Sequence, residues 1–266
     1  MMLCRDVIQR LEELAPKSLA CEWDNPGLLV GREDQEIHKV LVALDATDPV
    51  VDQAVREQAD LLVTHHPMIF KGVKQINSQS FTGRRILTLA EHRIGCFAMH
   101  TNFDIAPGCM ADLAAQRLGI LDGQPLEVTG EVDGQPVGIG KVGHLKAPMS
   151  LKELAARVKE AFGLPFVTLY GMEGVQEPVT RVAVSPGSGG SMLKHGIAAG
   201  AQVLVTGDIG HHEGIDAVAD HMAVIDGGHY GLEHLFIPFM KEHLERMSQG
   251  ALQVIEAAPA FPAKVL

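Results

Sequence analysis

The sequence predicts an α/β protein built from two related lobes with mostly parallel sheets. Two observations lead to this fold class. Short apolar runs rich in β-branched residues alternate with stretches of helical periodicity, and similar runs recur in the second half of the chain. With 266 residues, 46% of them hydrophobic and 21% charged, the chain is long enough to bury one large core or two smaller ones.

The first half alternates from its start. An apolar stripe through Leu3, Val7, Leu11 and Leu14 predicts a helix over about 3–15. The segment that follows, CEWDNPGLLVG, is interpreted as a loop. The remaining elements predicted here are strands at 39–45, 59–66 and 94–100 and helices at 49–58, 81–92 and 110–118.

The second half resumes the alternation after a segment rich in glycine and proline. Residues 120–148 are interpreted as a crossover between the lobes with an irregular hairpin. Ser150 and Glu153 form the pattern of a capping box and predict a helix that begins there. The later predicted elements are strands at 181–187, 201–208 and 222–229 and helices near 191–199, 212–220 and 231–247. The predicted domains are therefore a first α/β lobe at 1–119, a crossover at 120–149, and a second α/β lobe at 150–266 that closes the site.

The two halves share a repeated spacing. The runs at 39–44 and 59–64 recur 142 positions later, at 181–186 and 201–206. A second match, 129 positions apart, places residues 90–104 on 219–233, so that an H-x-x-x-D pattern coincides with H-x-x-x-E. General similarity between β-α-β units is an alternative explanation of these matches, although the coincidence of the polar residues is harder to explain in this way.

Charge and cysteine content exclude several classes of protein. A formal net charge of −11 disfavours binding of a nucleic-acid duplex through a broad basic surface. The four cysteines are scattered and include no C-x-x-C pair, so we expect reduced thiols, mostly buried, and a cytoplasmic location. The charged N-terminal segment is not expected to be a signal peptide, and no apolar stretch has transmembrane length.

The thirteen histidines include a pair at the end of a predicted strand, in LLVTHHP. At that point Pro67 ends the strand ladder, and both His65 and His66 can project from the carboxyl edge of the sheet, where open α/β folds bind ligands. Two neighbouring imidazoles there could serve one metal ion, or each could serve one of two ions. Taken alone, such a pair is more often structural.

Further metal donors follow other predicted strands. Asp104 lies in HTNFD, and His229 and Glu233 lie in GGHYGLE, one helical turn apart if this segment is helical. Together with His65 and His66 they supply three imidazoles and two carboxylates. This set could hold two divalent ions with open positions for water, and it predicts a metal site between the lobes.

Six motifs in order resemble a known family, the dinuclear-metal proteins called GTP cyclohydrolase 1 type 2 homologues or NIF-three-like proteins. The motifs are WDNPGLLVG, VTHHP, HTNFD, SPGSGGS, TGDIGHH and GGHYGLE. The resemblance spans nearly the whole chain and is to the short form of the family, which lacks an inserted middle domain. It implies a homohexamer and two divalent ions per chain, with these metal ligands: His65, His66, Asp104, His229 and Glu233. Mixed imidazole and carboxylate ligation admits Zn, Fe, Mn or Ni.

Other residues have two interpretations each. His100 could support the metal ligands or transfer protons, or it could be a core histidine at a strand end. His211 and His212 could position substrate or move a proton, or cap a helix on the surface. The turn at 185–192 could bind phosphate or simply connect a strand to a helix, and residues 23–25 are assigned to structural packing beside the site.

The function predicted first is a metal-dependent hydrolase acting on a small nucleotide or phosphorylated substrate. In it Glu233 bridges the ions or orients the nucleophile, and His100 or His212 moves protons. The alternative is a non-catalytic metal-binding scaffold that delivers ions or regulates a partner. A GTP-like substrate fits the family name, whereas a general phosphoester or amide hydrolysis fits the residues equally well.

Overall fold

The computed structural model describes residues 2–171 and 178–263. The chain forms two compact units, each composed of two segments. The first unit comprises Met1–Phe103 and Phe236–Ala260, and the second comprises Asp104–Leu235 and Phe261–Leu266.

The elements alternate between strand and helix, which confirms the predicted α/β class. As far as the boundary between the units they are β1 (Met2–Leu3), α1 (Cys4–Leu14), β2 (Gly27–Val30), β3 (Glu36–Ile37), β4 (Lys39–Ala43), α2 (Asp48–Arg56), β5 (Leu61–Thr64), α3 (Phe81–Glu91), β6 (Gly95–Ala98) and α4 (Thr101–Ile105). The rest are α5 (Met110–Leu118), β7 (Ile120–Val132), β8 (Gln135–Met149), α6 (Leu151–Ala161), β9 (Thr168–Tyr170), β10 (Val179–Ser188), α7 (Leu193–Ala198), β11 (Val203–Gly207), α8 (His211–Ala219), β12 (Ala223–Asp226), α9 (His229–Glu233), α10 (Phe236–Met247) and β13 (Gln253–Glu256).

The first unit contains a five-stranded sheet in the order β13-β4-β5-β6-β2. All neighbours are parallel except β2, which runs antiparallel to β6 at the edge. The central strands are buried along their whole length, as with Leu61, Leu62 and Val63, because helices cover both faces of a parallel sheet. Strand β2 occupies residues that were interpreted as part of a loop.

The second unit contains a six-stranded sheet in the order β7-β8-β10-β11-β12-β9. Its centre, β10-β11-β12, is parallel, and β9 runs antiparallel to β12 at the edge. The order β10-β11-β12-β9 therefore repeats β4-β5-β6-β2 of the first unit, with the antiparallel edge strand preceding the other three along the chain in both cases. This recurrence is what the repeated spacing in the sequence leads one to expect.

The irregular hairpin predicted at 120–148 is present, but it is part of the second sheet and not a crossover between lobes. Strands β7 and β8 form a long hairpin with two register shifts, and β8 also pairs with β10. The hairpin turns at Asp133 and Gly134, with φ of 51° and 75°. Positive φ at both central residues is the type I′ geometry that Asp-Gly favours and that matches the twist of the strands.

The observed units also differ from the predicted lobes in where two helices pack. Helix α5 follows the strands of the first unit along the chain but packs on β7, β8 and β10 of the second. Helix α10 follows the strands of the second unit but packs on β4 and β13 of the first. The units are therefore discontinuous in sequence, whereas the predicted lobes were continuous.

The capping box at Ser150 and the four cysteines, none of which forms a disulfide, agree with the sequence analysis. The Ser150 hydroxyl accepts a hydrogen bond from the backbone of Glu153, whose carboxylate accepts one in return. Burial raises the pKa of Cys96 to about 12 and that of Cys4 to about 11, so these thiols stay protonated at neutral pH. Among the described residues, no helix has the length and apolar character needed to cross a bilayer.

Candidate metal centre

Three histidines of the first unit lie at one edge of its sheet. His65 and His66 follow β5 directly, and His100 lies two residues after the end of β6. Because β5 and β6 are parallel neighbours, their carboxyl ends meet at the same edge. A ring nitrogen from each histidine lies within 4.8 Å of the others, so this group could hold a metal ion.

Each of these imidazoles is oriented by an oxygen that contacts its Nδ1 atom. His65 contacts the Met99 carbonyl at 2.7 Å, His66 the Asp45 carboxylate at 2.8 Å, and His100 the Asp24 carboxylate at 2.7 Å. A carbonyl or carboxylate oxygen can only accept, so Nδ1 must donate the proton. The neutral ring then has its lone pair on Nε2, the arrangement found when histidine ligates a metal.

Asp24 holds the end of β6 and the start of α4 together. Its fully buried side chain accepts hydrogen bonds from the backbone N–H and the hydroxyl of Thr101, at 3.0 and 2.6 Å, besides the contact with His100. Burial raises the pKa of Asp24, but the hydrogen bonds from His100 and Thr101 outweigh it and hold the pKa at about 2. Asp24 thus remains charged and keeps the His100 ring in place, a more specific role than the structural packing predicted for residues 23–25.

Replacing Asp24 with alanine is expected to lower the free energy of unfolding by about 2 to 4 kcal/mol, because it leaves buried donors of Thr101 and His100 without their acceptor. The matched control is Asp34→Ala, which removes an exposed carboxylate that binds Arg32 and should leave the urea midpoint unchanged. Urea unfolding followed by circular dichroism measures both variants. Equal midpoints for the two would show that Asp24 does not anchor this region.

The second unit carries a comparable group after β11 and β12. The Nδ1 atom of His229 contacts the Asp208 carboxylate at 2.7 Å, and its Nε2 atom lies 3.0 Å from Glu233. His229 and Glu233 lie one turn apart on α9, the spacing expected if GGHYGLE is helical. Asp208, a residue for which sequence reasoning found no role, here plays the part that Asp45 and Asp24 play in the first unit.

Asp226, at the end of β12, fixes the two loops that carry these residues. One of its oxygens accepts from the backbone N–H of Ile209 at 3.0 Å and the other from that of Gly228 at 2.8 Å. The first bond holds the loop after Asp208, and the second holds the turn before His229. Sequence reasoning missed Asp226, although a carboxylate between a strand and a Gly-Gly pair is a usable signal.

Two glycines let the backbone approach the His229 and Glu233 side chains closely. A Cβ atom on Gly187, which has φ of +85°, would lie 2.5 Å from Oε1 of Glu233. A Cβ atom on Gly207 would lie 2.5 Å from the backbone nitrogen of His229. The glycine-rich segment 185–192 therefore leaves space for α9. This favours the interpretation of the segment as a connection between a strand and a helix over its interpretation as a phosphate-binding turn.

Asp104 lies on α4, and one of its oxygens is within 4.8 Å of a carboxylate oxygen of Glu233. The pKa of the Cys109 thiol is raised to about 12, mainly by burial and further by the negative charges of Asp112 and Asp104. Two carboxylates this close repel each other unless a proton or a cation lies between them. The pair therefore suits a cation.

His211 and His212 lie in the first turn of α8, where both are exposed and their ring centroids are 5.2 Å apart. Neither belongs to a group of candidate metal donors in the described parts of the chain. The proton-transfer role of His212 remains a prediction.

The chemistry of the donors fits divalent transition-metal ions. The first unit offers three imidazoles, and the second offers His229 with the carboxylates of Asp104 and Glu233. Mixed nitrogen and oxygen ligation is typical of Zn, Fe, Mn and Ni sites. Protonated thiols are poor ligands, so Cys4, Cys96 and Cys109 do not compete with this set.

The fold and these donors define a class: α/β proteins with a repeated sheet topology and histidine–carboxylate groups that could hold metal ions. A family model described as Duf34/NIF3 (NGG1p interacting factor 3) matches residues 2–259. The chain therefore belongs to the DUF34/NIF3 family, which confirms the resemblance drawn from its motifs.

Relatives in several organisms are similar over most of their length. A Streptococcus pneumoniae protein named GTP cyclohydrolase 1 type 2 homolog is 35% identical over 261 residues, which cover 97% of this chain and 96% of the relative. A Streptomyces coelicolor protein of the same name is 38% identical over 232 residues, covering 86% and 80%. The Drosophila melanogaster NIF3-like protein 1 is 30% identical over 244 residues, covering 90% and 82%.

Solved structures share the fold. Reduced HcgD from Methanocaldococcus jannaschii superposes with a TM-score of 0.83 at 30% identity and covers 96% of this chain and 97% of its own. A hypothetical protein of Staphylococcus aureus superposes with a TM-score of 0.88 at 28% identity, covering 100% and 99%.

Proposed function

We propose that the chain is a metal-dependent hydrolase that binds two divalent ions through His65, His66, Asp104, His229 and Glu233 and acts on a small nucleotide or phosphorylated substrate. One observation carries the proposal: the imidazoles of the three proposed histidine ligands, His65, His66 and His229, are each oriented through Nδ1 by a carbonyl or carboxylate. Such partners cost free energy to arrange, and they are the usual support of metal-bound histidines.

The choice of two ions rests on the donor count. Three imidazoles and two carboxylates exceed what one four-coordinate ion needs and leave positions for water when two ions share them. The ions proposed are Zn, Fe, Mn or Ni, among which cellular availability selects. Divalent ions held there would lower the pKa of a water molecule toward neutrality and would stabilise negative charge on the attacked group.

His100 is the residue proposed to move the proton. Its Nδ1 proton is held by the charged Asp24 carboxylate, which fixes the tautomer and stabilises the imidazolium that forms when Nε2 takes a proton. The Nε2 atom can then return that proton to the leaving group. His212, exposed on α8, is a second candidate for proton transfer at the surface.

The buried Glu233 carboxylate, 3% exposed as a residue, is proposed to bridge the ions or orient the nucleophile. Its position is set by α9, by the His229 contact and by the space over Gly187. The name GTP cyclohydrolase 1 type 2 homolog belongs to the relatives, and a GTP-like substrate enters this proposal through them. The homohexamer implied by the family resemblance and a cytoplasmic location are parts of the same proposal.

The test is turnover by metal-free protein reloaded separately with Zn, Fe(II), Mn and Ni, assayed against nucleotides and simple phosphate esters. Product formation is expected with at least one ion and not without metal. His100→Gln is expected to keep its metal and lose 10²- to 10⁴-fold in kcat. The control, His92→Gln, replaces an exposed histidine whose Nδ1 contacts the Thr88 carbonyl and should keep full activity.

If the protein binds metal but turns over no substrate with any of the ions, the hydrolase proposal is contradicted. The alternative that then stands is the metal-binding scaffold. That second candidate shares the same ligands, so only the assay of product separates the two.

A further inference from the structure

Two aromatic side chains of the first unit are exposed beside the histidines. Trp23 is 60% exposed and Phe70 is 44% exposed, and their ring centroids are 5.9 Å apart. We call Trp23 and Phe70 the aromatic pair. Exposed apolar side chains that lie together, rather than scattered singly, are a feature of interaction sites.

The aromatic pair borders the imidazole group. The His100 ring meets Trp23 edge-on at 6.1 Å and 74°, and it meets Phe70 edge-on at 6.2 Å and 77°. The surface of the two rings thus ends at the residue proposed to move the proton. A molecule lying against the aromatic pair would place its neighbouring bonds within reach of His100.

The pair is held in place on both sides by hydrogen bonds. Asp24, next to Trp23, is bound to His100 and Thr101. The side-chain amide of Asn25 donates to the carbonyl of Ile69, next to Phe70, at 2.6 Å. Because these bonds fix both loops, little conformational entropy remains to be lost when a ligand binds.

The positive charge of the loop after Phe70 indicates the charge of the ligand. Lys71 and Lys74 follow Phe70, and both are exposed. Two cations within four residues stand out in a chain of net charge −11 and favour an anionic group on a molecule bound there.

We propose that the aromatic pair stacks a planar aromatic ring of the substrate and that Lys71 and Lys74 favour a phosphate attached to it. The inference rests on the proposed function and narrows its substrate class from phosphate esters in general to those that carry such a ring. Aromatic side chains bind rings of this kind through their faces with little dependence on the ring's substituents. The competing occupant is a second copy of the chain covering the pair.

Trp23 is the single tryptophan of the chain, so its fluorescence reports on the pair directly. Metal-free and metal-loaded protein are titrated with guanosine, adenosine and uridine 5′-monophosphates and with ribose 5-phosphate, which has the phosphate but no ring. Saturable quenching by at least one nucleotide, and none by ribose 5-phosphate, is expected. Phe70→Ala, which keeps Trp23, should weaken the binding of that nucleotide roughly 5- to 150-fold.

The control is Phe81→Ala, which removes a more exposed phenylalanine (58%) of the same unit that packs on Arg85 and should leave the affinity unchanged. If Phe70→Ala does not fold, Phe70→Leu replaces it, with a smaller loss in the same direction.

Quenching that is absent, that is equal with ribose 5-phosphate, or that survives Phe70→Ala undiminished would overturn the inference. Sedimentation velocity is run on the same samples. A change of oligomeric state in Phe70→Ala without a change in quenching assigns the pair to a contact between copies and also overturns it. Quenching without metal uptake would contradict the proposed function alone. Metal uptake without quenching would contradict only this inference.

Discussion

Glu233→Gln is expected to lower the affinity for divalent metal by more than 100-fold and to abolish turnover. Removing a residue that merely supports a ligand already costs 10- to 100-fold in metal affinity, and loss of a ligand costs more. Glutamine keeps the volume and shape of glutamate but replaces a charged oxygen with a neutral amide, which is a weak ligand. The substitution therefore changes the charge while keeping the packing of α9.

Equilibrium dialysis against Zn²⁺ in the presence of a competing chelator measures the affinity. Far-UV circular dichroism should be identical to wild type, since the buried side chain retains its size. Glu160→Gln, the same change at an exposed position of α6 in the same unit, serves as the control and should bind metal like wild type. An unchanged affinity in Glu233→Gln would remove Glu233 from the ligand set.

Gly187→Ala is expected to reduce metal affinity and turnover nearly as much as Glu233→Gln, although it replaces none of the proposed ligands. The new Cβ would lie 2.5 Å from Oε1 of Glu233, so the carboxylate must move. The His229 ring, at 3.7 Å from the same Cβ position, remains at an ordinary contact distance. The expected defect is thus a displaced carboxylate beside a correctly placed imidazole.

Gly200→Ala separates this effect from backbone strain. Gly200 also has positive φ, +68°, and nothing lies within 4 Å of its Cβ position. Both variants should lose about 1 to 2 kcal/mol of stability from the left-handed conformation. Only Gly187→Ala should lose metal as well, and equal metal affinity in the two would contradict the close approach of Gly187 to Glu233.

The candidate metal donors were selected from the sequence because local signals lie next to them. His65 and His66 end an apolar run at Pro67, and His229 with Glu233 follows a Gly-Gly pair at helical spacing. Parallel strands bring such ends to one edge of a sheet, so local patterns were sufficient to select them.

The residues that orient the histidines could not be predicted in this way. Asp24 is 76 positions from His100, and Asp45 and Asp208 are 21 positions from the histidines they contact. Which carboxylate reaches which ring depends on how the strands pair, and no local periodicity encodes that. Only the folded sheet identifies these partners.

The fold shows the same limit. Strand periodicity located β4, β5, β10 and β11, but it did not reveal β2, whose four residues follow Pro26 and lie at a sheet edge. The placement of α5 on the second unit and of α10 on the first depends on which apolar surface each helix finds, a tertiary choice that its amphipathic pattern leaves open.

Elemental analysis of untagged protein, purified without chelator, tests the central claim most directly. The account predicts about two divalent transition-metal ions per chain, a sharp fall in His66→Ala, and no fall in His38→Ala, which replaces an exposed histidine of the same unit. Absence of metal from the wild-type protein, together with none taken up on titration with Zn, Fe(II), Mn or Ni, would contradict it.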